Sequence, residues 1–285
     1  MNADTTFMIG ATHAICQDYS LASNLSHASY LVLSDGCSTS PDTDIGARLL
    51  VRATAQAKLI QAEEDISALH QSASSQALQW AQCIGLQPQS VDATLLTLYC
   101  DGEDLVVGAS GDGVIILQSH SGSRDVYSIS FPSGFPLYPS YAHQPERLEA
   151  WRSNKRSYKE LKHFRGDSTF DLVETATSSE LTEVFRVKTS DYEYAMLLSD
   201  GLHSFYKTQE SKTSRQLNSI PMDQVIDEIM SFKGGMGTFV ARRAKKFARS
   251  CAAKGWQHAD DLALGAIYLG ARAASPATVN LNSNY

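Results

Sequence analysis

Two textures alternate along the chain. In one, unbroken runs of large aliphatic residues stand between turn residues; in the other, apolar positions recur every three or four residues. Ala28 to Ser34 is of the first kind and predicts a buried strand. From Asp42 the second begins, with Ile45, Leu49, Leu50, Ala53 and Ala57 along one helical face and Asp42 or Thr43 as the cap. Another helix is predicted over Ile66 to Ile84, stopped by Gly85 with Pro88 beyond. Then "ATLLTLYC", "DLVVGAS", "GVIILQS" and "DVYSISF", separated by "DGED", "GDG" and "SGSR", predict a meander of antiparallel strands.

From Pro132 to about Ser179 the pattern is lost. "PSGFPLYPSY" cannot form a helix and "RLEAWRSNKRSYKELKHFRGD" is strongly basic, which predicts a mobile insert or flap at about 132–179. Strands return at "LTEVFRVKT" and "EYAMLLS". The helices "MDQVIDEIMSF" and "TFVARRAKKFARSCAAK" follow, then the strand "LALGAIYL". In the second helix Phe239, Ala244, Phe247 and Cys251 are the inward positions and "ARRAKKFARS" supplies the wet face. The expected fold class is α+β, a four-layer α-β-β-α sandwich of two packed antiparallel sheets flanked by helix pairs. It is expected to occupy residues 1–270 as one domain, with a frayed tail at 271–285.

Composition changes this picture little. The chain has 285 residues, 43% hydrophobic and 19% charged, which suits an ordinary globule with a full core. A formal charge of -7 argues against nucleic acid as a partner, because that affinity rests on surplus Lys and Arg. The basic aromatic stretch from Trp151 to Lys162 reads as a solvated flap for the same reason. The start "MNADTTFMIG" lacks the regions of a signal peptide and no apolar run would span a membrane, so a cytoplasmic protein with no membrane partner is expected. Cys16, Cys37, Cys83, Cys100 and Cys251 have no metal-binding spacing and read as reduced thiols.

The candidate chemistry lies in acids at strand ends. "LVLSDGCS" at Leu31 to Ser38 and "LLSDGLHS" at Leu197 to Ser204 repeat one phrase: an apolar run, then Ser-Asp-Gly. Either copy alone is ordinary turn chemistry. Yet Asp18, Asp112 and the pair Asp260-Asp261 also stand at strand boundaries, and none has a Lys or Arg nearby in sequence. Carboxylates brought together repel unless a cation joins them, and hard oxygen ligands suit Mg²⁺ or Mn²⁺.

With "GATHAICQDYS", "LVLSDGCSTSPDTDIGARL", "DATLLTLYCDGEDLVVGASGDG", "AMLLSDGLHS" and "ADDLALGAI" in that order, the chain resembles the type 2C metal-dependent protein phosphatases, particularly compact bacterial members. The resemblance spans most of residues 7 to 270. It implies a cytoplasmic serine/threonine phosphatase with two Mg²⁺ or Mn²⁺ ions, or three. Phosphomonoesters would be hydrolysed by direct attack of a metal-bridging water or hydroxide, and the partner would be a phosphorylated protein, counteracting a Ser/Thr kinase. Carried over residue by residue, Asp35, Asp200 and Asp260 are the catalytic acids. Asp35 would bridge both metals, the Gly36 carbonyl would bind the second, and Asp200 and Asp260 would hold the first. Asp18 would act through coordinated water, Asp112 would hold a third, looser ion, and Thr94 matches a small hydroxyl residue of the central strand.

Three positions depart from the family pattern. Cys37 stands where many members have a His that protonates the leaving alcohol. His13 stands where many have a phosphate-gripping Arg; a phosphate contact is expected there, without the bidentate fork of a guanidinium. Gln17 replaces a frequent Glu. The alternatives at this level are a catalytically weak phosphatase-like binding module and a metal-dependent phosphodiesterase.

Overall fold

The computed structural model describes residues 1–60, 65–210 and 215–270; the predicted tail at 271–285 lies outside them. In chain order, β1 (Asn2–Met8), β2 (Asp18–Asn24) and β3 (Ser29–Asp35) precede the helices α1 (Thr43–Ile60) and α2 (Ile66–Cys83). The meander β4 (Leu95–Cys100), β5 (Asp104–Ser110), β6 (Gly113–Ser119) and β7 (Arg124–Ser130) leads to α3 (Pro145–Ser153), then β8 (Lys159–Gly166) and β9 (Phe170–Ser178). After β10 (Glu183–Lys188), β11 (Tyr192–Leu198), β12 (Phe205–Glu210) and β13 (Arg215–Ser219) come α4 (Met222–Met230), α5 (Phe239–Lys254), β14 (Trp256–His258) and β15 (Leu262–Tyr268).

The strands form a seven-stranded sheet ordered β1-β15-β11-β6-β7-β8-β9 and a five-stranded sheet ordered β10-β5-β4-β3-β2, with antiparallel pairing at each of these neighbours. Alternation of side chains explains the unbroken apolar runs. In β3, Leu31 and Leu33 face β6 and β11 of the other sheet, in one cluster with Ile115, Leu117, Ala195 and Leu197, whereas Tyr30 and Val32 meet Leu50, Val51 and Ala77 of α1 and α2. In β11, Met196 and Leu198 turn the other way, onto Val225 and Ile229 of α4 and Val240 and Phe247 of α5. Strands covered on both faces carry no polar alternation. The α+β layering expected from the sequence is therefore present.

Some expectations shift. The inward face of α1 is carried by Ala47, Leu50, Val51 and Thr54, while Ile45 and Leu49 are only half-buried. A third, three-stranded sheet ordered β13-β12-β14 is concealed in the sequence by the helical texture around it. Residues 132–179 are more regular than their composition suggests: β8 and β9 extend the larger sheet at its edge, where polar side chains are tolerated. Lys159 opens β8 and is fully buried, its Nζ donating to Glu183 Oε1 at 2.9 Å and to the Glu180 carbonyl at 2.7 Å. No helix among the described residues is long and apolar enough to cross a membrane.

Candidate active site

The strand ends bring the acids together. Asp18 opens β2 and Asp35 closes β3, and the antiparallel register sets them directly opposite one another. Asp200 follows β11, Asp112 sits in the turn between β5 and β6, and Asp260 and Asp261 precede β15, the neighbour of both β1 and β11.

The repeated Ser-Asp-Gly phrase serves close packing rather than a left-handed turn, since neither glycine has a positive φ. A Cβ on Gly36 would meet the Thr43 carbonyl oxygen at 2.7 Å, and one on Gly201 would run into the Asp261 carbonyl. Both serines are fully buried. Ser34 Oγ donates to the Thr94 carbonyl at 2.6 Å, and Thr94 Oγ1 accepts from the Asp35 amide at 3.0 Å, which pins the end of β3 to β4. Ser199 Oγ donates to Asp18 Oδ2 at 2.7 Å, and the Ala263 amide donates to the same oxygen at 2.6 Å. One Asp18 oxygen is thus doubly satisfied, whereas Oδ1, like Asp200 Oδ1, is buried without a hydrogen-bond partner. Unpartnered buried carboxylate oxygens are costly and call for an explanation.

The electrostatics agree. Burial, partly relieved by the Ser199 hydrogen bond, pushes the Asp18 carboxyl up to about 7. Burial and then the charge of Asp200 push Asp112 up to about 7. Asp35 is raised well above the carboxylate range by burial and by the charges of Asp18 and Asp200, and Asp260 is raised by burial and by Asp200. Among the described residues, only His13 brings a compensating cation to this cluster. Its Nδ1 lies 2.9 Å from Asp261 Oδ2, with the N–H off the line to the oxygen, and its Nε2 lies 3.5 Å from Asp260 Oδ1. The contact with Asp261, opposed by burial, raises the His13 pKa. Asp261 also accepts from the Gly10 amide at 2.7 Å and the Gln17 amide at 2.6 Å, so it holds the loop from Gly10 to Gln17 against the end of β15.

Cys37 directs its sulfur to Thr39 Oγ1 at 3.2 Å. Burial pushes its thiol up, but hydrogen bonds from Thr39, Tyr138 and Ser40 together hold it below the ordinary value. Gln17 Nε2 donates to Thr43 Oγ1 at 2.9 Å, tying β2 to the start of α1. His203 is exposed overall, although desolvation of its ring by neighbouring atoms lowers its pKa.

The residues missed from sequence lie around Cys37. Tyr138, a buried phenol of the 132–179 segment raised far above its usual pKa by burial and the contact with Cys37, feels the charges of Asp112 and Asp35. Asp92 is 1% exposed and takes a two-pronged bond from Arg147 of α3, Nη1 to Oδ1 and Nη2 to Oδ2, both at 2.8 Å. Its carbonyl accepts from the Cys37 amide at 2.8 Å. Only the isolated acid in "SVDATLL" hinted at this, and its partner lies 55 residues away.

Among the described residues, no three His, Cys, Asp or Glu side chains enclose a common point closely enough to hold a metal as they stand. The donor set nonetheless fits a hard cation: clustered carboxylates, two orphaned buried oxygens and, among the described residues, no Lys or Arg paired with Asp18, Asp35 or Asp112.

The family model for protein phosphatase 2C matches residues 10–237. The chain belongs to the protein phosphatase 2C family. Its fold is similar to those of solved phosphatases of this kind. A bacterial serine phosphatase shares 11% identity at a TM-score of 0.56, covering 96% of this chain and 100% of its own. A serine/threonine phosphatase of S. agalactiae shares 10% at 0.54, with 94% and 99% covered. The serine/threonine phosphatase Stp1 of Staphylococcus aureus shares 11% at 0.52, with 93% and 94% covered. At such identities these likenesses establish the fold that this phosphatase 2C family member shares with them. Comparison with curated proteins finds no match.

Proposed function

We propose that the chain is a metal-dependent phosphatase hydrolysing phosphoserine and phosphothreonine in proteins, acting from one domain over residues 1–270 with the 132–179 segment as its insert. The observation that carries this reading is the acid cluster itself, whose buried Asp18 Oδ1 and Asp200 Oδ1 have no hydrogen-bond partner among the described residues. Asp35, Asp200 and Asp260, with Asp18, Asp112 and the Gly36 carbonyl, would hold Mg²⁺ or Mn²⁺, two ions or three. Bound there, such ions would supply Lewis acidity to the phosphoryl group and a lowered pKa for coordinated water.

The protein's own residues prepare that chemistry. Ser199 and the Ala263 amide fix Asp18 through one oxygen and leave the other available. Thr94 and Ser34 hold the Asp35 backbone to β4, so the acid opposite Asp18 does not drift. His13, 19% exposed at the side chain, is the cation placed to meet a substrate dianion, and releasing the longer contact to Asp260 would free its Nε2. Cys37, engaged with Thr39 and Tyr138, offers no basic cradle for a thiolate mechanism, and no covalent phosphoenzyme is expected. The soluble, cytoplasmic setting and an opposing kinase belong to the same proposal.

Cys37 and His13 also favour a second reading, a phosphatase-like module that binds a partner and turns over slowly. Hydrolysis of p-nitrophenyl phosphate with Mn²⁺, Mg²⁺ or EDTA tests the first reading; metal binding without turnover would select the second.

A further inference from the structure

The helix α5 carries more positive charge than its fold needs. Its sixteen residues include Arg242, Arg243, Lys245, Lys246, Arg249 and Lys254 and no acid, in a chain of net charge -7. Phe239, Val240, Ala244, Phe247 and Cys251 face the core, and Arg243 and Lys254 pair with Glu228 of α4. Arg242, Lys245, Lys246 and Arg249 recur at helical spacing on the opposite, exposed face, and none of them makes an ion pair among the described residues. They run along roughly 10 Å of the helix axis.

The stripe ends in a cleft of about 210 Å³ between the 231–237 loop and the start of α5. Its apolar wall is Phe232 with Met236, which is 66% exposed, and its rim is Lys233, Arg242 and Lys246. The loop is built rather than slack: Asn2 Nδ2 donates to the Gly235 and Gly237 carbonyls at 2.8 and 2.9 Å, and Gly235 packs so closely on Tyr268 that a Cβ would collide with the ring. Tyr268 ends β15, whose other end adjoins Asp260 and Asp261. The cleft therefore lies at the opposite end of the strand from the carboxylates, roughly 20 Å away for a strand of this length.

We propose that this face of α5 docks an acidic protein segment that carries one apolar anchor side chain, apart from the reaction centre. Charge complementarity chooses the occupant: unpaired cations at helical spacing match alternating carboxylates, and the apolar wall beside them matches a single aromatic or aliphatic side chain. An extended polyanion fits worse, because the stripe is short and the rest of the chain is acidic. The site does not depend on catalysis.

The test is fluorescence polarisation of a short labelled peptide of Asp and Glu around a central Phe, with the full chain. Binding should weaken by at least about tenfold in the Lys245→Glu, Lys246→Glu, Arg249→Glu variant, and similarly as salt is raised. Met236→Asp should weaken it without touching the stripe, and replacing the peptide's Phe by Ala should do the same. Hydrolysis of p-nitrophenyl phosphate should be equal in all these proteins. Circular dichroism checks folding, and if the triple variant is misfolded, Lys245→Gln with Lys246→Gln replaces it. The proposal is overturned by absence of peptide binding to the unaltered chain, by undiminished binding in the charge variants, or by tighter binding to phosphatidylserine vesicles or duplex DNA than to the peptide.

Discussion

His70 should make the fold acid-sensitive in a way that one substitution removes. The side chain lies on α2 and is fully buried; its Nδ1 is 2.8 Å from Ser110 Oγ and its Nε2 is 3.0 Å from Thr97 Oγ1. No carboxylate among the described residues reaches it, and burial pushes its pKa down to about 3 from the ordinary 6.5. The unfolded chain therefore binds a proton that the folded chain refuses, and stability is lost as pH falls below the unfolded value. Between about pH 7.5 and pH 5 that loss is about 2 kcal/mol, since 1.5 pH units below 6.5 at about 1.4 kcal/mol per unit sets the cost. Asp18 and Asp112 act oppositely: their folded pKa values, about 7, lie above the unfolded 3.8, so protonation on acidification favours the fold. Comparison with His70→Gln cancels that contribution. Urea unfolding in EDTA at the two pH values should show the stability gap between unaltered chain and variant shrinking by about 2 kcal/mol on acidification. A gap that stays constant would mean instead that His70 accepts its proton in the folded state.

Arg147→Ala leaves Asp92 buried and unpaired and should cost about 3 kcal/mol in chemical denaturation, with Asp92→Asn restoring part of it. Gly201→Ala forces a methyl group against the Asp261 carbonyl and should destabilise the chain by about 2 kcal/mol, read as a lower Tm. Cys37→Ser should retain most phosphatase activity; its complete loss would point to a thiol nucleophile. Asp35→Ala and Asp200→Ala should each abolish metal-dependent hydrolysis without lowering Tm in EDTA, because each removes a charge from a repulsive cluster.

The sheets were legible because both faces of β3, β6, β11 and β15 are covered, and such strands can only be continuous apolar runs. The acids were legible by their position after those runs. What stayed hidden depends on contacts between distant segments. The role of the glycines in Ser-Asp-Gly is set by the Thr43 and Asp261 carbonyls, which no local pattern reveals. The charged residues of "YKELKHFRG" mask β8, the strand next to the edge of the larger sheet, whose side chains are mostly half-buried and so include few apolar ones. His13 was expected beside phosphate from its place in the motif, but its contacts with Asp260 and Asp261 come from the docking of the Gly10–Gln17 loop on the end of β15. Tyr138 and Arg147 sit in the stretch with the weakest periodicity, and only the folded chain brings them to Cys37 and Asp92.

The carboxylates at these strand ends are proposed to work through divalent cations on phosphomonoesters. The most direct measurement is initial-rate hydrolysis of p-nitrophenyl phosphate by the purified chain, titrated with Mn²⁺ or Mg²⁺ and then with EDTA, beside Asp35→Ala. Turnover that rises with the metal, vanishes in EDTA and is missing in the variant is the predicted result. Turnover that persists in EDTA, or that survives Asp35→Ala, would contradict it.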